Sequence, residues 1–231
     1  MQKLKFMLTQ RARLYLNGIR RDKEWSADPE KVAAYFVKQK LQLSSELLKV
    51  QLLYSGYELI LHGHPGRTFL LNFISKQAVS SNAEIGFYPV DNGYLLEFGE
   101  HATAQFTFYI TDCGEVCTWE PEVGDEPNIV CSSVEKYIEQ YALKNELSSQ
   151  DEHPNYYQVL NLNELNAVLH QEFIEIPECT DAYSYWCFND FLTVAKGTWL
   201  HEPTFYFHVY GKSKSACASF VERLKSASII G

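Results

Sequence analysis

No stretch of this 231-residue chain holds the roughly 18 consecutive apolar residues that a membrane span requires. The first residues, MQKLKFMLTQRARLYLNG, lack the continuous apolar segment of a secretory signal. They read instead as a basic, loosely amphipathic surface helix, with Leu4, Met7, Leu8, Leu14 and Tyr15 near helical spacing. A soluble, cytoplasmic protein is expected. The common catalytic signatures are missing as well: there is no G-x-S-x-G nucleophile elbow, no H-E-x-x-H and no G-x-G-x-x-G after a strand. Gly63-His64-Pro65-Gly66-Arg67-Thr68 superficially resembles a phosphate loop, but it is too short, has Arg where Lys is needed and leads into a strand.

Disulfide and metal chemistry are also poorly served. Six cysteines in a chain of this length do not form a disulfide framework. Cys113 and Cys117 flank a turn and the start of a strand, and four extended residues separate their Cα atoms by about 13 Å. Buried free thiols are the expectation. His62 and His64 form an H-x-H pair, yet zinc takes three or four ligands and no third stands near in sequence. A glycine- and proline-flanked loop with solvated histidines is the simpler reading. No metal or other cofactor is expected.

What the chain does have is an uneven charge. From Gln77 to Ala195 there are 21 acidic residues against two basic ones, Lys136 and Lys144. Residues 1–50 carry 11 Lys or Arg and five acids, so the net charge of −9 conceals a basic front and a strongly acidic middle. A field of that sign repels nucleic acid and draws basic protein surfaces toward itself. The acidic loop Glu120–Glu126 is either a solvated turn or a surface that recognises a cationic partner.

With 46% apolar and 14% aromatic residues, the chain has ample material for a core. Asp28 before Pro29 reads as a helix cap, followed by Val32, Ala33, Phe36 and Val37. Ser44 is read as the cap of a second helix with Leu47, Leu48, Leu52 and Leu53 as its apolar face, ending before Gly56. Extended runs follow at Tyr57–Leu61, Phe69–Ile74, Ile85–Val90 and Tyr94–Phe98, the last two joined by a hairpin turn at Asp91-Asn92-Gly93. Ala104–Ile110 places apolar side chains on every even position, and Gly114–Trp119 follows as its hairpin partner. Ser132 to Glu135 reads as a capping box, with Val134, Tyr137, Ile138, Tyr141 and Ala142 as the stripe behind it. A polar stretch, Leu147–Asn155, is the candidate linker. Beyond it lie a helix opened by Asn161, extended segments at Tyr183–Ala195 and Thr204–Tyr210, and a last helix from about Ser213. Thr204–Tyr210 carries bulk on both faces and is either covered on both sides, the commoner fate, or offers aromatics to a partner.

The order of elements in Leu41–Leu143 resembles the SUKH superfamily of bacterial toxin-immunity proteins and fungal cell-wall regulators. Three pieces carry the resemblance: the helix Ser45–Tyr54 running into Gly56, the strand Gly114-Glu115-Val116-Cys117-Thr118-Trp119, and the Ser-capped helix that begins Cys131-Ser132-Ser133-Val134-Glu135. The chain departs from the pattern in its basic front, in everything after residue 148, and in having Ser55-Gly56 in place of a double glycine. The resemblance implies an α+β fold, a largely antiparallel sheet flanked by helices, with an additional C-terminal α+β segment. It also implies no catalysis, and binding to a toxin that is frequently a nuclease.

The expected organisation is a basic helical extension over 1–40, a SUKH-like domain over 41–147 and an α+β segment over 148–231. The expected function is a non-catalytic protein-binding module, an immunity protein that blocks a basic nuclease toxin through an acidic surface. Its candidate contacts come from charge and exposure: Glu115, Glu120, Glu122, Asp125 and Glu126, with Trp119 as an aromatic anchor or a buried core residue. The alternatives are a regulator of the same fold, or a small-ligand binder or enzyme built where the C-terminal aromatics meet the His62–Gly66 loop.

Overall fold

The computed structural model describes residues 8–61, 66–91, 93–101, 106–120, 122, 126–148, 150–152 and 155–231. Its helices are α1 (Gln10–Gly18), α2 (Pro29–Lys38), α3 (Ser45–Leu53), α4 (Lys76–Ser81), α5 (Val134–Leu147), α6 (Leu162–Glu172) and α7 (Lys214–Ser226). The strands of the first half are β1 (Glu58–Ile60), β2 (Thr68–Leu70), β3 (Phe87–Val90), β4 (Gly93–Glu97), β5 (Glu100–His101), β6 (Phe108–Thr111), β7 (Val116–Thr118) and β8 (Asn128–Cys131). Those of the second half are β9 (Asp151–Glu152), β10 (Tyr157–Gln158), β11 (Ile174–Glu175), β12 (Ser184–Phe188), β13 (Leu192–Thr198) and β14 (Phe205–Gly211). Every pairing among them is antiparallel, so the fold is α+β as expected.

The helices start where side chains can satisfy free backbone amides. Asp28 accepts from the amides of Glu30 and Lys31 ahead of Pro29, Ser44 accepts from Leu47, and Asn161 accepts from Glu164. Helix α5 corrects the capping box by one residue. Ser133, not Ser132, caps it, because the Ser132 amide is drawn to Asp181 Oδ2 at 2.8 Å. Helix α3 corrects the apolar face. It buries Leu47, Val50 and Gln51 and leaves Leu52 and Leu53 exposed. Gln51 fixes that rotation: its amide donates to the carbonyls of Trp25 and Ile74, and its oxygen accepts from the Ile74 amide at 2.9 Å.

Five strands form a sheet in the order β3-β4-β6-β7-β8, and three form a smaller one, β1-β2-β5. The inner face of the larger sheet contributes Leu96, Phe108, Ile110, Val116 and Val130 to a core shared with Ala12, Tyr15 and Leu16 of α1, Phe36 of α2 and Leu47 of α3. The segment read as a basic extension thus places side chains in this core. The expected inward alternation of Ala104–Ile110 holds for Phe108 and Ile110, while Tyr109 turns to the opposite face and is also buried. Residues 102–105 and Asn92 lie outside the described residues.

The second half is a six-stranded sheet, β10-β14-β13-β12-β11, with β9 beside β14. Helices α6 and α7 cover one face, packing Leu165, Leu169, Phe220, Val221 and Leu224 on Phe207 and Val209. The other face meets α5, whose Leu143 and Leu147 pack on Trp186, Ala195 and Tyr210. Strand β14 is therefore buried on both sides, which accounts for its unbroken run of bulky residues. The expected linker begins inside α5, with Leu147 buried at its end.

Helix α5 is the layer common to both halves. Val134, Ile138 and Ala142 face the first core, and Leu143 and Leu147 face the second sheet. Gln140, also buried, donates to the carbonyl of Cys179 and to Ser184 Oγ at 3.1 and 2.7 Å. No helix among the described residues is long and apolar enough to cross a membrane.

Candidate functional site

Among the described residues, no helix contributes a side chain to the apolar cluster on the outer face of the five-stranded sheet. Alternation along the strands places Leu95, Tyr109 and Cys117 on this face, with Tyr88, Val90, Trp119 and Ile129 packed around them. Tyr88, Tyr109 and Trp119 contact one another edge to face. Their ring centroids are 5.5 Å apart for Tyr88–Tyr109 and for Tyr88–Trp119, and 6.0 Å for Tyr109–Trp119. The Tyr88 hydroxyl donates to Glu97 Oε1 at 3.1 Å, and that bond is the main reason its proton is held more firmly than usual. Trp119 is half-buried, a core residue on one side and part of the surface on the other.

A groove of about 1090 Å³ runs beside this aromatic cluster. Asp91, Asp112, Glu115 and Glu126 line it together with Tyr94 and Trp119, and no Lys, Arg or His among the described residues does. Two hairpin turns meet at one end. Gly93 lies so close to Asp112 that a Cβ on it would come within 2.7 Å of the Asp112 carboxylate. The Asp112 charge also helps burial to push the Tyr94 phenol up to about 12. Glu115 is half-buried and accepts from the Tyr183 hydroxyl at 3.4 Å, which connects the groove to the second half of the chain. None of these four carboxylates forms an ion pair with a described residue.

The sequence-derived contacts divide around this groove. Glu115, Trp119 and Glu126 line it together. Glu120 sits with Glu126 and Glu202 in an adjoining hollow of about 170 Å³. Glu122 is exposed on the neighbouring turn and lines neither, and Asp125 lies outside the described residues. Sequence reasoning missed Tyr88, Tyr94, Asp91 and Asp112. Period-two alternation in β3 and β4 carries the signal for Tyr88, but the approach of two turns has no local signature.

The groups assembled here are carboxylate acceptors and flat aromatic faces, the complement of ammonium and guanidinium groups. The Cys113 thiol at the rim is exposed, and burial together with the charge of Asp112 raises its pKa, so it is a poor nucleophile. All six cysteines are free. His62 and His64 lie outside the described residues, and no group of three or more potential metal ligands occurs among the described ones. Compared with known proteins, the chain matches no family model, no curated protein sequence and no solved structure.

Proposed function

We propose that this chain is a non-catalytic binding module that receives a basic protein on the outer face of its five-stranded sheet. In its most concrete form it is an immunity protein that covers the cationic cleft of a nuclease toxin, as the SUKH-like order of elements suggests. The observation that carries the reading is the groove: four carboxylates without a cationic partner among the described residues, next to an aromatic cluster to which no described helix contributes. A surface of this kind gives fast, salt-sensitive association with a basic partner, and the aromatic cluster supplies a desolvated anchor. An interface centred on Trp119 and rimmed by Glu115, Glu120 and Glu126 has the usual arrangement of an apolar centre and a polar edge.

Cys113 offers the means to test this, because it is exposed and lines the groove. A photo-crosslinker attached there is used to capture proteins from the native lysate at about 50 mM and about 500 mM salt, a span over which a charge-steered complex weakens strongly. The captured protein is then purified and titrated against the unlabelled chain and its E115Q/E126Q variant. Support requires a basic partner, salt-sensitive binding, at least about tenfold weaker affinity in the variant, and inhibition of the partner's nuclease activity at one-to-one stoichiometry. A partner that is not basic, or that binds the variant equally well, overturns the reading, as does the absence of any captured protein.

A further inference from the structure

A cleft of about 870 Å³ opens between α2 and α4. Lys31, Ala34, Tyr35 and Lys38 line it from α2, where their spacing puts them on one face of the helix. Lys76 and Val79 line it from α4. Three hydrogen bonds hold the walls together. Glu24, in the short turn Lys23–Trp25, accepts from the Gln77 amide at 2.8 Å near the start of α4. At the other end the Ala83 carbonyl, just past α4, accepts from the Tyr35 hydroxyl and from Gln39 Nε2, the latter at 3.4 Å. The two helices therefore run side by side in the same sense. Lys31 and Lys76 lie toward the Glu24 end, and Lys38 toward the Ala83 end.

The cations of this cleft are left free in a chain that has acids to spare. Acidic residues outnumber basic ones by 29 to 20. Arg11, Arg20, Lys49 and Arg223 all pair with carboxylates. Lys31, Lys38 and Lys76 have neither an ion pair nor a side-chain hydrogen bond with a described residue. Two carboxylates line the same cleft, but both are turned to the backbone. Glu24 holds the Gln77 amide, and Asp28 Oδ1 accepts from the amides of Glu30 and Lys31 at 3.0 and 3.3 Å. Lys31 and Lys38 stand two turns apart, about 10 Å along the helix axis, and the exposed Ala34 between them leaves the wall low. An ammonium is a compact point charge that suits the dense charge of a phosphoryl group. A carboxylate is better matched by the planar fork of arginine, and no Arg among the described residues lines the cleft.

We propose that the cleft between α2 and α4 binds a small organic bisphosphate, with one phosphoryl group held by Lys31 and Lys76, the other by Lys38, and its carbon backbone lying over Ala34. The site shares no lining residue with the acidic groove and does not depend on the reading of that groove.

The test is a calorimetric titration of the full chain with a hexose bisphosphate phosphorylated at both ends, beside inorganic phosphate, citrate and the unphosphorylated hexose. The expected result is saturable one-to-one binding of the bisphosphate, at least about tenfold tighter than phosphate or citrate, and no binding of the sugar. Lys31→Gln, Lys38→Gln and Lys76→Gln are each expected to weaken it about threefold and the triple variant about thirtyfold. Lys214→Gln, on α7, should leave it unchanged. Ala34→Leu fills the cleft without touching a charge, and is expected to abolish binding at an unchanged urea midpoint. Vesicles of phosphatidylcholine with and without a phosphatidylinositol bisphosphate separate the two sources of such a group. Retention that needs the bisphosphate lipid and is lost in the triple variant supports a lipid headgroup; no retention beside tight binding of the hexose bisphosphate supports a soluble molecule. Failure to saturate, citrate bound as tightly as the bisphosphate, or full affinity in the triple variant or in Ala34→Leu would overturn the proposal.

Discussion

The carboxylate of Glu139 accepts two hydrogen bonds from Thr9, from its backbone amide at 2.6 Å and from its hydroxyl at 2.8 Å, across 130 positions of sequence. Thr9 is the residue that caps α1, so the same carboxylate that sits buried on α5 also positions the start of the first helix. Arg11 reinforces the contact, with Nη2 3.5 Å from Glu139 and 3.0 Å from Glu178. Removing Glu139 leaves an amide, a hydroxyl and a guanidinium short of an acceptor in a partly buried place. We expect Glu139→Ala to cost about 3 kcal/mol, and Glu139→Gln, which keeps one acceptor oxygen, about half of that. Urea unfolding of the two variants beside the wild type checks both values; equal losses would mean that packing and not acceptance dominates.

Gly93 stands at the start of β4 with φ +138°, a conformation that L side chains rarely adopt. It also has no space for a Cβ beside Asp112. Gly93→Ala is expected to destabilise the chain by about 1–3 kcal/mol, through backbone strain and displacement of the Asp112 carboxylate. The double variant with Asp112→Gly should recover the crowding part and not the strain. If the single variant unfolds at the wild-type urea midpoint, this account of the two turns is wrong.

Thiol labelling should separate the cysteines into one and five. Cys113 is exposed and the other five are buried. A maleimide is expected to modify one thiol in the folded protein and all six in denaturant. Labelling of Cys113 should itself be slow at pH 8, because burial and then the Asp112 charge keep its pKa above the ordinary value. Asp112→Asn should quicken it. A second thiol reacting as fast in the folded state would contradict the packing of Cys117, Cys131, Cys179, Cys187 and Cys217.

Alkaline pH should weaken the fold. Burial pushes the thiols of Cys117, Cys179 and Cys187 up to about 12. In the unfolded chain these groups lose their protons near pH 9, so between there and pH 12 the unfolded state has released protons that the folded state still holds. Each raised thiol therefore contributes stability that is intact below about pH 9 and falls by about 1.4 kcal/mol per pH unit above it. Urea midpoints should be flat from pH 7 to 8 and drop steeply by pH 10.5. Cys117→Ala should flatten that drop, and an unchanged slope in this variant would remove Cys117 from the explanation.

The helix starts at Asp28 and Ser44 were legible because a cap is settled within three residues of sequence. The start of α5 was misread by one position because Asp181, 49 residues further on, holds the Ser132 amide. The apolar face of α3 was misread for a similar reason: Leu52 and Leu53 look like core until Gln51 is seen holding Ile74 from inside. For the candidate site, the acidic character and Trp119 were visible in composition. The contact of Trp119 with Tyr88 and Tyr109 was not, since it depends on β5 leaving for the smaller sheet so that β4 pairs with β6. A one-residue change of register would turn those rings inward.

Helix α5 is the common ply of a laminate. Its Val134, Ile138 and Ala142 are bonded to one board and its Leu143 and Leu147 to the other. Neither board can be peeled away without baring the glue line of the one that stays, so a fragment ending at α5, or one beginning there, would carry a sticky stripe into solution. The chain should come apart in one step, with no intermediate in which half of it stands alone, and any attempt to produce either half by itself should yield aggregate instead of a small domain.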